Sequence, residues 1–372
     1  MKIVWVPIVV ALALPAPPAA ALSGYIDKSG KIVIEPRFAE ALDFSDGLAG
    51  VRTDKKFGYI DKTGAVVIAP QFDEVAPFRE GIARVRVGEA WGFIDKSGKW
   101  IAEPQFRLAS DFSEGLAAIA APRAGETRLG WGYIDAGGKM AIAPQFYEAH
   151  SFSNGLAMVR RTGGATHIVS DAFVLKVYKE EEAAGFIDKS GKMAIAPQFM
   201  NAMSFSDGLA CVQLPGGKSA YIDPGGKVVI DLAQWAADPF GGISVGAASF
   251  REGLAFVDTA SGFVHVPKWG YIDKSGKIAA ALDVSSSEPF SEGLALVGKG
   301  KLRMTYGYAN REGKVVIPHQ YRFAQSFSEG LAAVKIDSRW GYIDASGKVV
   351  IEPRFDFVGP FSGGLARVTI GR

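Results

Sequence analysis

An aspartate recurs at positions 27, 61, 95, 135, 188, 223, 273 and 344, and in most copies a Gly-Lys pair follows it closely. A ladder of carboxylates suggests calcium, which takes six to eight oxygen ligands. In Asp-Lys-Ser-Gly-Lys, however, one carboxylate lies between two lysines, which is a poor oxygen cage. The same residue suits a tight turn, because Asp accepts hydrogen bonds from the backbone ahead of it and Gly accepts positive φ. Turn capping is therefore the expected role. The longer string Gly-Tyr-Ile-Asp-Lys-Ser-Gly-Lys has the outline of a phosphate-binding loop. It places five residues between the glycines where four are required, and an apolar residue follows the Lys where Ser or Thr is required. That chemistry is excluded.

The other reactive side chains are sparse. His150, His167, His265 and His319 are scattered without ligand spacing. Cys211 is the only cysteine, so an intrachain disulfide is impossible. Within Gly-Leu-Ala-Cys-Val it reads as a small packed apolar side chain. A Ser-His-Asp or Cys-His site is recognised by geometry, and no such set is legible in the order of residues. The expectation is a protein that is not an enzyme, with no cofactor and no metal. Formal charge is +2, with both signs interspersed, so nothing marks a nucleic-acid partner.

The elements that carry these residues form a tandem array. Gly-Tyr-Ile-Asp, or a close variant, begins at 24, 58, 92, 132, 185, 220, 270, 307 and 341. Phe-Ser-x-Gly-Leu, or a close variant, follows with its Phe at 44, 78, 112, 152, 205, 250, 290, 327 and 361. The offset is 20 residues in eight units and 30 in the sixth, the signature of a repeat architecture. In the second unit, Phe57 to Ile60 reads as a strand, Asp61 to Gly64 as a turn and Ala65 to Ile68 as the return strand. Pro70 is expected to end that strand. Phe72, Val75 and Phe78 suit an irregular or 3₁₀-like turn, and Gly81 to Arg86 is a third strand. Units as short as 34 residues cannot bury a core alone, so neighbours must stack. Trp91 and Phe93 fall on one face of their strand and Ile94 on the other, so both faces need cover.

Trp-Gly at 91–92, 131–132, 269–270 and 340–341, each followed by Tyr or Phe-Ile-Asp, resembles the bacterial WG-repeat family. Pro-Gln-Phe at 70–72, 104–106, 144–146 and 197–199, and Pro-Arg-Phe at 36–38 and 353–355, fit the same pattern. The resemblance implies a β-rich array, often exported, that acts as an interaction module without family-wide catalytic residues. Unit six lacks Pro-x-Phe and unit seven replaces it. The fold class expected is all-β: nine units of about three short strands, solenoid-like or toroidal, with a β-propeller as alternative. The array opens on a hairpin lacking its preceding strand and stops on a strand lacking its hairpin, so the ends could pair and leave no open edge. The Asp and Gly-Lys stretch is also similar to the propeller repeat of quinoprotein dehydrogenases, with only Trp100 near that repeat's docking Trp. That makes a quinone- or glycan-directed enzyme, with a site formed between repeats, the alternative function.

Lys2, the apolar run Ile3 to Leu14 and small residues at 19 and 21 read as a signal peptide over 1–21, with residues 22–372 as the repeat domain. The apolar run is short of a bilayer span, so no transmembrane segment is expected after cleavage. The protein is expected to be exported, periplasmic or extracellular. Three length outliers are the candidate contact regions, because insertions in repeat proteins often map to one binding face. Arg161 to Ala184 reads as an extended hairpin carrying His167 and Tyr178. Asp231 to Ser249 adds Trp235 and Phe240, and Asp258 to Lys268 adds Phe263 and His265. Exposed aromatics beside flexible glycines suit a protein or glycan partner of the cell envelope.

Overall fold

The computed structural model describes residues 21–123, 129–161, 166–171, 174–179, 183–232, 246–258, 269–300 and 303–371. Among them there is no α-helix, and the strands form antiparallel sheets. The second sheet sets the pattern. Strands Glu40–Ala41, Ala49–Thr53, Lys56–Ile60 and Val66–Phe72 hydrogen-bond in that order. The two middle strands are apolar on both faces, and Ala49, Val51, Tyr59 and Ile60 are all buried. The fourth strand is half-covered, with Ile68 and Phe72 buried and Val66 exposed.

Every unit but the ninth therefore has four strands, one more than expected. The extra strand is only two residues long here, Glu40–Ala41, too short to leave an alternating pattern. Its counterpart in the next unit is Glu74–Val75, so the segment from Phe72 to Phe78 is not a 3₁₀ turn. Nor does Pro70 end its strand, which continues to Phe72 through a wide bulge. Tyr59 pairs with Ile68 but Phe57 pairs with Phe72, so two residues of one strand face four of the other.

That bulge explains the glycine before Tyr. A Cβ on Gly58 would lie 2.4 Å from the Ile68 carbonyl oxygen and 2.7 Å from the Pro70 nitrogen, and Gly24, Gly132, Gly307 and Gly341 are equally tight against their own partners. Unit six has Ala220 at this place and no Pro-x-Phe. There the register runs Ala220 to Asp231 and Tyr221 to Ile230 without the bulge, and the methyl group fits.

The sheets stack face to face and the row closes on itself. Buried clusters lie between neighbours, not within a sheet. Ile82, Phe93 and Ala102 of the third sheet meet Phe112, Ala117 and Ile119 of the fourth. Ile94, on the other face of the Phe93 strand, packs instead with Tyr59, Ile68 and Phe78. The fourth and fifth sheets are continuous through strand Met140–Ala149, whose two ends pair with different partners. At the ends of the chain, strand Leu22–Asp27 pairs with Leu365–Ile370 along its whole length, from Leu22 opposite Ile370 to Asp27 opposite Leu365. The closing sheet thus takes its first two strands, Phe357–Ser362 and Leu365–Ile370, from the C-terminal end and the others from the start of the array. The closed ring of nine units satisfies the toroidal expectation, although the ninth sheet has three strands, Ala332–Ile336, Arg339–Ile343 and Val349–Phe355, with a lone bridge of Ala324 to Val334 in place of the first. It also meets the description of a propeller, one blade beyond the usual range of about four to eight.

Replacing Gly58 or Gly341 with Ala should destabilise the fold by about 3 kcal/mol, the upper range for forcing atoms into a packed site. Ala220→Gly should cost under about 1 kcal/mol, since only backbone entropy changes. Urea denaturation of the three variants checks this, and equal losses would contradict it.

Candidate functional site

Antiparallel pairing sorts the connections onto two ends of the ring. Ile82 lies opposite Asp95 and Leu116 opposite Asp135, so the Phe-Ser-x-Gly-Leu turns and the Asp turns share one end. Glu74 lies opposite Arg86, and Trp91 opposite both Arg86 and Phe106. The turns between second and third strands, and the passages from one sheet to the next, therefore share the other end.

The first end is committed to holding the ring. Asp61 accepts from the Thr63 amide at 2.9 Å, the Thr63 hydroxyl at 2.6 Å and the Ala65 amide at 3.0 Å. The same set recurs at Asp27, Asp95, Asp188, Asp273 and Asp344 with Ser as the hydroxyl donor. The hydroxyl donor in each turn, with backbone N–H groups, holds these six carboxyls below the usual range. These contacts satisfy the turn-capping expectation in full.

The neighbouring turn carries a chain of bonds from unit to unit. The Ser45 hydroxyl donates to the Phe78 carbonyl at 2.6 Å, and Ser113, Ser153, Ser206, Ser291 and Ser328 do the same to the next unit's Phe. Ser362 completes the circle by donating to the Phe44 carbonyl at 2.6 Å. The residue before the Gly of this turn is held at positive φ, 54° for Glu80 and 53° for Glu329, a costly region for a side chain of that size. Its carboxylate takes amides of the following turn: Glu80 accepts from Glu114 and Gly115 at 2.7 and 2.8 Å, and Glu329 from Gly363 and Gly364 at 2.6 and 2.9 Å.

The second end carries the length variation. The second-to-third-strand turn has two residues in the second, third and ninth sheets, at 54–55, 88–89 and 337–338. It lengthens through the fourth to eighth sheets, between Pro122 and Leu129, Arg161 and Ala184, Gln213 and Ser219, Asp258 and Trp269, and Lys299 and Thr305. The segment between Leu232 and Gly246 departs from the same end, in the passage from sixth to seventh sheet. All three outliers therefore leave the ring on one side.

Arg161 to Ala184 contains the expected hairpin. Strands Thr166–Asp171 and Val174–Lys179 pair antiparallel as a separate two-stranded sheet, with His167 directly opposite Tyr178. Trp235, Phe240, Phe263 and His265 lie outside the described residues, as do residues 1–20. Of the remaining chemistry, Cys211 is buried and its thiol is pushed up to about 12 by desolvation, so it is inert as a nucleophile. His150 Nε2 lies 3.0 Å from Glu148. Trp100 packs edge-on against Phe72, ring centroids 5.9 Å apart, inside an inter-unit seam. Among the described residues no group of three potential metal ligands comes together. What spacing alone missed was the shared side. That follows from strand direction, and it becomes visible once each outlier is placed between two motifs.

One comparison with solved structures agrees with this architecture. A crystal structure of a eukaryotic initiation factor superposes with a TM-score of 0.58 at 10% identity, over 94% of this chain and 98% of that one, which is a likeness of fold alone. BamB from Moraxella catarrhalis aligns at 11% identity over 90% of this chain and 98% of its own, with a TM-score of 0.41. The WD40 β-propeller domain of Doa1 aligns at 11% identity over 94% and 95%, with a TM-score of 0.32. The last two scores are too low to carry an argument. A comparison with curated proteins found no match.

Because the six turn carboxyls are depressed in the folded state, they stabilise it above their unfolded values and lose that effect as pH falls through the folded ones. The melting temperature should stay level from pH 7 to about 5 and fall below about pH 4. Asn310 already caps the eighth turn, accepting from the Lys314 amide at 2.9 Å. Changing Asp61, Asp95 and Asp188 to Asn should make the acid limb shallower, and an unaltered limb would contradict the role.

The model of the WG containing repeat matches eight segments, 24–57, 57–89, 91–120, 131–164, 185–218, 269–302, 306–340 and 340–371. It passes over the unit at Ala220 that lacks both the glycine and Pro-x-Phe. With that much of its length matched, and the same recurrent antiparallel sheet along the matched segments, the chain belongs to the WG-repeat family.

Proposed function

We propose that this protein is an exported, non-enzymatic scaffold that binds a protein or glycan partner of the cell envelope through its variable end. The observation that carries the reading is the division of labour between the two ends. One is committed to turn caps and unit-to-unit bonds, whereas the other holds every long connection. Loops on a rigid scaffold are where binding residues concentrate. Within that end, His167 and Tyr178 share one register position on the hairpin, and Trp235, Phe240, Phe263 and His265 belong to segments anchored nearby in the ring. Export rests on the leader-like residues 1–21 and on the first strand starting at Leu22, directly after the expected cut. No helix among the described residues is long and apolar enough to cross a membrane.

Purified protein without residues 163–182 and 233–245 should keep its cooperative melting transition, since the flanking strands are untouched. It should lose partners that the intact chain captures from an envelope extract or a glycan array. Undiminished capture would overturn the reading. Turnover of a sugar or alcohol substrate on adding a quinone cofactor and calcium would favour the enzyme alternative.

A further inference from the structure

A cleft of about 730 Å³ opens where the last strand of the eighth sheet passes into the ninth, bordered by Gln320, Arg322, Phe323, Lys335, Asp337 and Ser338. The volume is that of an ordinary small-ligand site. Its residues depart from the repeat in a consistent direction. At the same positions the third sheet has Asp73, Glu74 and Arg86, closed by ion pairs: Glu74 to Arg86 and Asp73 to Lys56, both at 2.6 Å. Glu40 with Arg52 and Glu148 with Arg160 repeat the first of these pairs in other sheets. In the ninth sheet Arg322 and Phe323 replace the two acids, and Thr305 stands where Lys56 would.

The equivalence is held by the backbone, since the Lys335 amide donates to the Phe323 carbonyl at 2.9 Å. Lys335 has thereby lost its carboxylate and holds its ammonium 5.5 Å from the centre of the Phe323 ring. Neither Lys335 nor Arg322 forms an ion pair among the described residues. Phe323 is 42% exposed, and its ring leans on buried Trp340 at 6.4 Å. A site that elsewhere neutralises itself here presents two uncommitted cations beside an open aromatic surface.

We propose that this cleft binds a carboxylate-bearing sugar, such as a uronate unit of an acidic polysaccharide. Arg322 and Lys335 supply charge-assisted donors for the carboxylate. The uncovered part of the Phe323 ring supplies an apolar surface for the C–H groups of a pyranose. Gln320 and Ser338 offer both donors and acceptors for ring hydroxyls. Asp337 decides against a phosphate, because a carboxylate in the cleft repels a dianion but accepts from sugar hydroxyls. The bordering residues belong to the repeat and not to the inserted segments, so substitutions here test this reading independently of the loop-mediated one.

The test is calorimetric titration of the full chain with oligogalacturonate and oligoalginate, against a neutral malto-oligosaccharide, inorganic phosphate and a Glu-rich peptide. The intact protein should bind at least one sugar acid, more weakly as salt rises, and should not bind the neutral sugar. Arg322→Asp with Phe323→Glu removes one cation and returns a carboxylate to Lys335, as Glu74 has with Arg86 in the third sheet. That double variant should melt normally and bind about tenfold more weakly or worse. Lys335→Met provides a second variant, with the same direction expected, should the first fail to fold. No binding of either sugar acid, binding indifferent to these substitutions, or tighter binding of phosphate or the acidic peptide would overturn the proposal.

Discussion

Each sheet of the ring has two apolar faces and cannot cover either by itself. On the third strand of each unit, Tyr or Phe points to one neighbour and Ile (Ala309 in the eighth) to the other, as with Tyr25 and Ile26 at the closing sheet. An open row would leave one such face bare at each end. Pairing of Leu22–Asp27 with Leu365–Ile370 removes both bare faces and both open edges at once. The clusters on either side of that pairing, Tyr25 with Phe44 and Ile26 with Tyr342, are built like the interior ones.

The seams combine an aromatic contact with a directional bond. Tyr59 meets Phe78 at 4.8 Å, and its hydroxyl donates across the seam to the Ala76 carbonyl at 2.8 Å. Tyr25, Tyr133, Tyr221, Tyr308 and Tyr342 repeat that bond to the next unit. Burial keeps these phenols un-ionised by raising them far above their ordinary value. An aromatic pair contributes about 0.5–1.5 kcal/mol beyond its burial, and a satisfied hydroxyl about 1 kcal/mol more. Phe93 and Phe186 keep the ring contact and omit the hydroxyl, so the packing is the common element. Closure adds its own polar contacts, with Arg354 donating to the Gly30 carbonyl just as Arg37 donates to that of Gly64 at 2.7 Å.

The repeat, the hairpins and the need for stacking were legible because they rest on local chemistry: Asp-x-x-Gly turns, two-residue alternation, and a fixed offset between Tyr and Phe. The fourth strand was not, since a pair of residues such as Glu40–Ala41 carries no period. The bulge at Pro70 has no local signal of its own, because it depends on Gly58 of the partner strand leaving room for the Ile68 carbonyl. Ring closure was legible only as complementary ends. The carboxylates at positive φ were invisible, as nothing local in Glu80 shows that its partners are the amides of Glu114 and Gly115. For the candidate site, the outlying lengths were readable but their common side needed strand directions. The cleft at Phe323 needed positions on opposite strands to be compared, sheet against sheet.

Native-state hydrogen exchange on the amides of Leu22–Asp27 tests closure most directly. A strand paired along its length and covered on both faces should exchange only with opening of the ring, with protection matching that of the interior strand Lys56–Ile60. Exchange as rapid as that of a fraying terminus, while Lys56–Ile60 stays protected, would show that the ends do not join and would contradict the account.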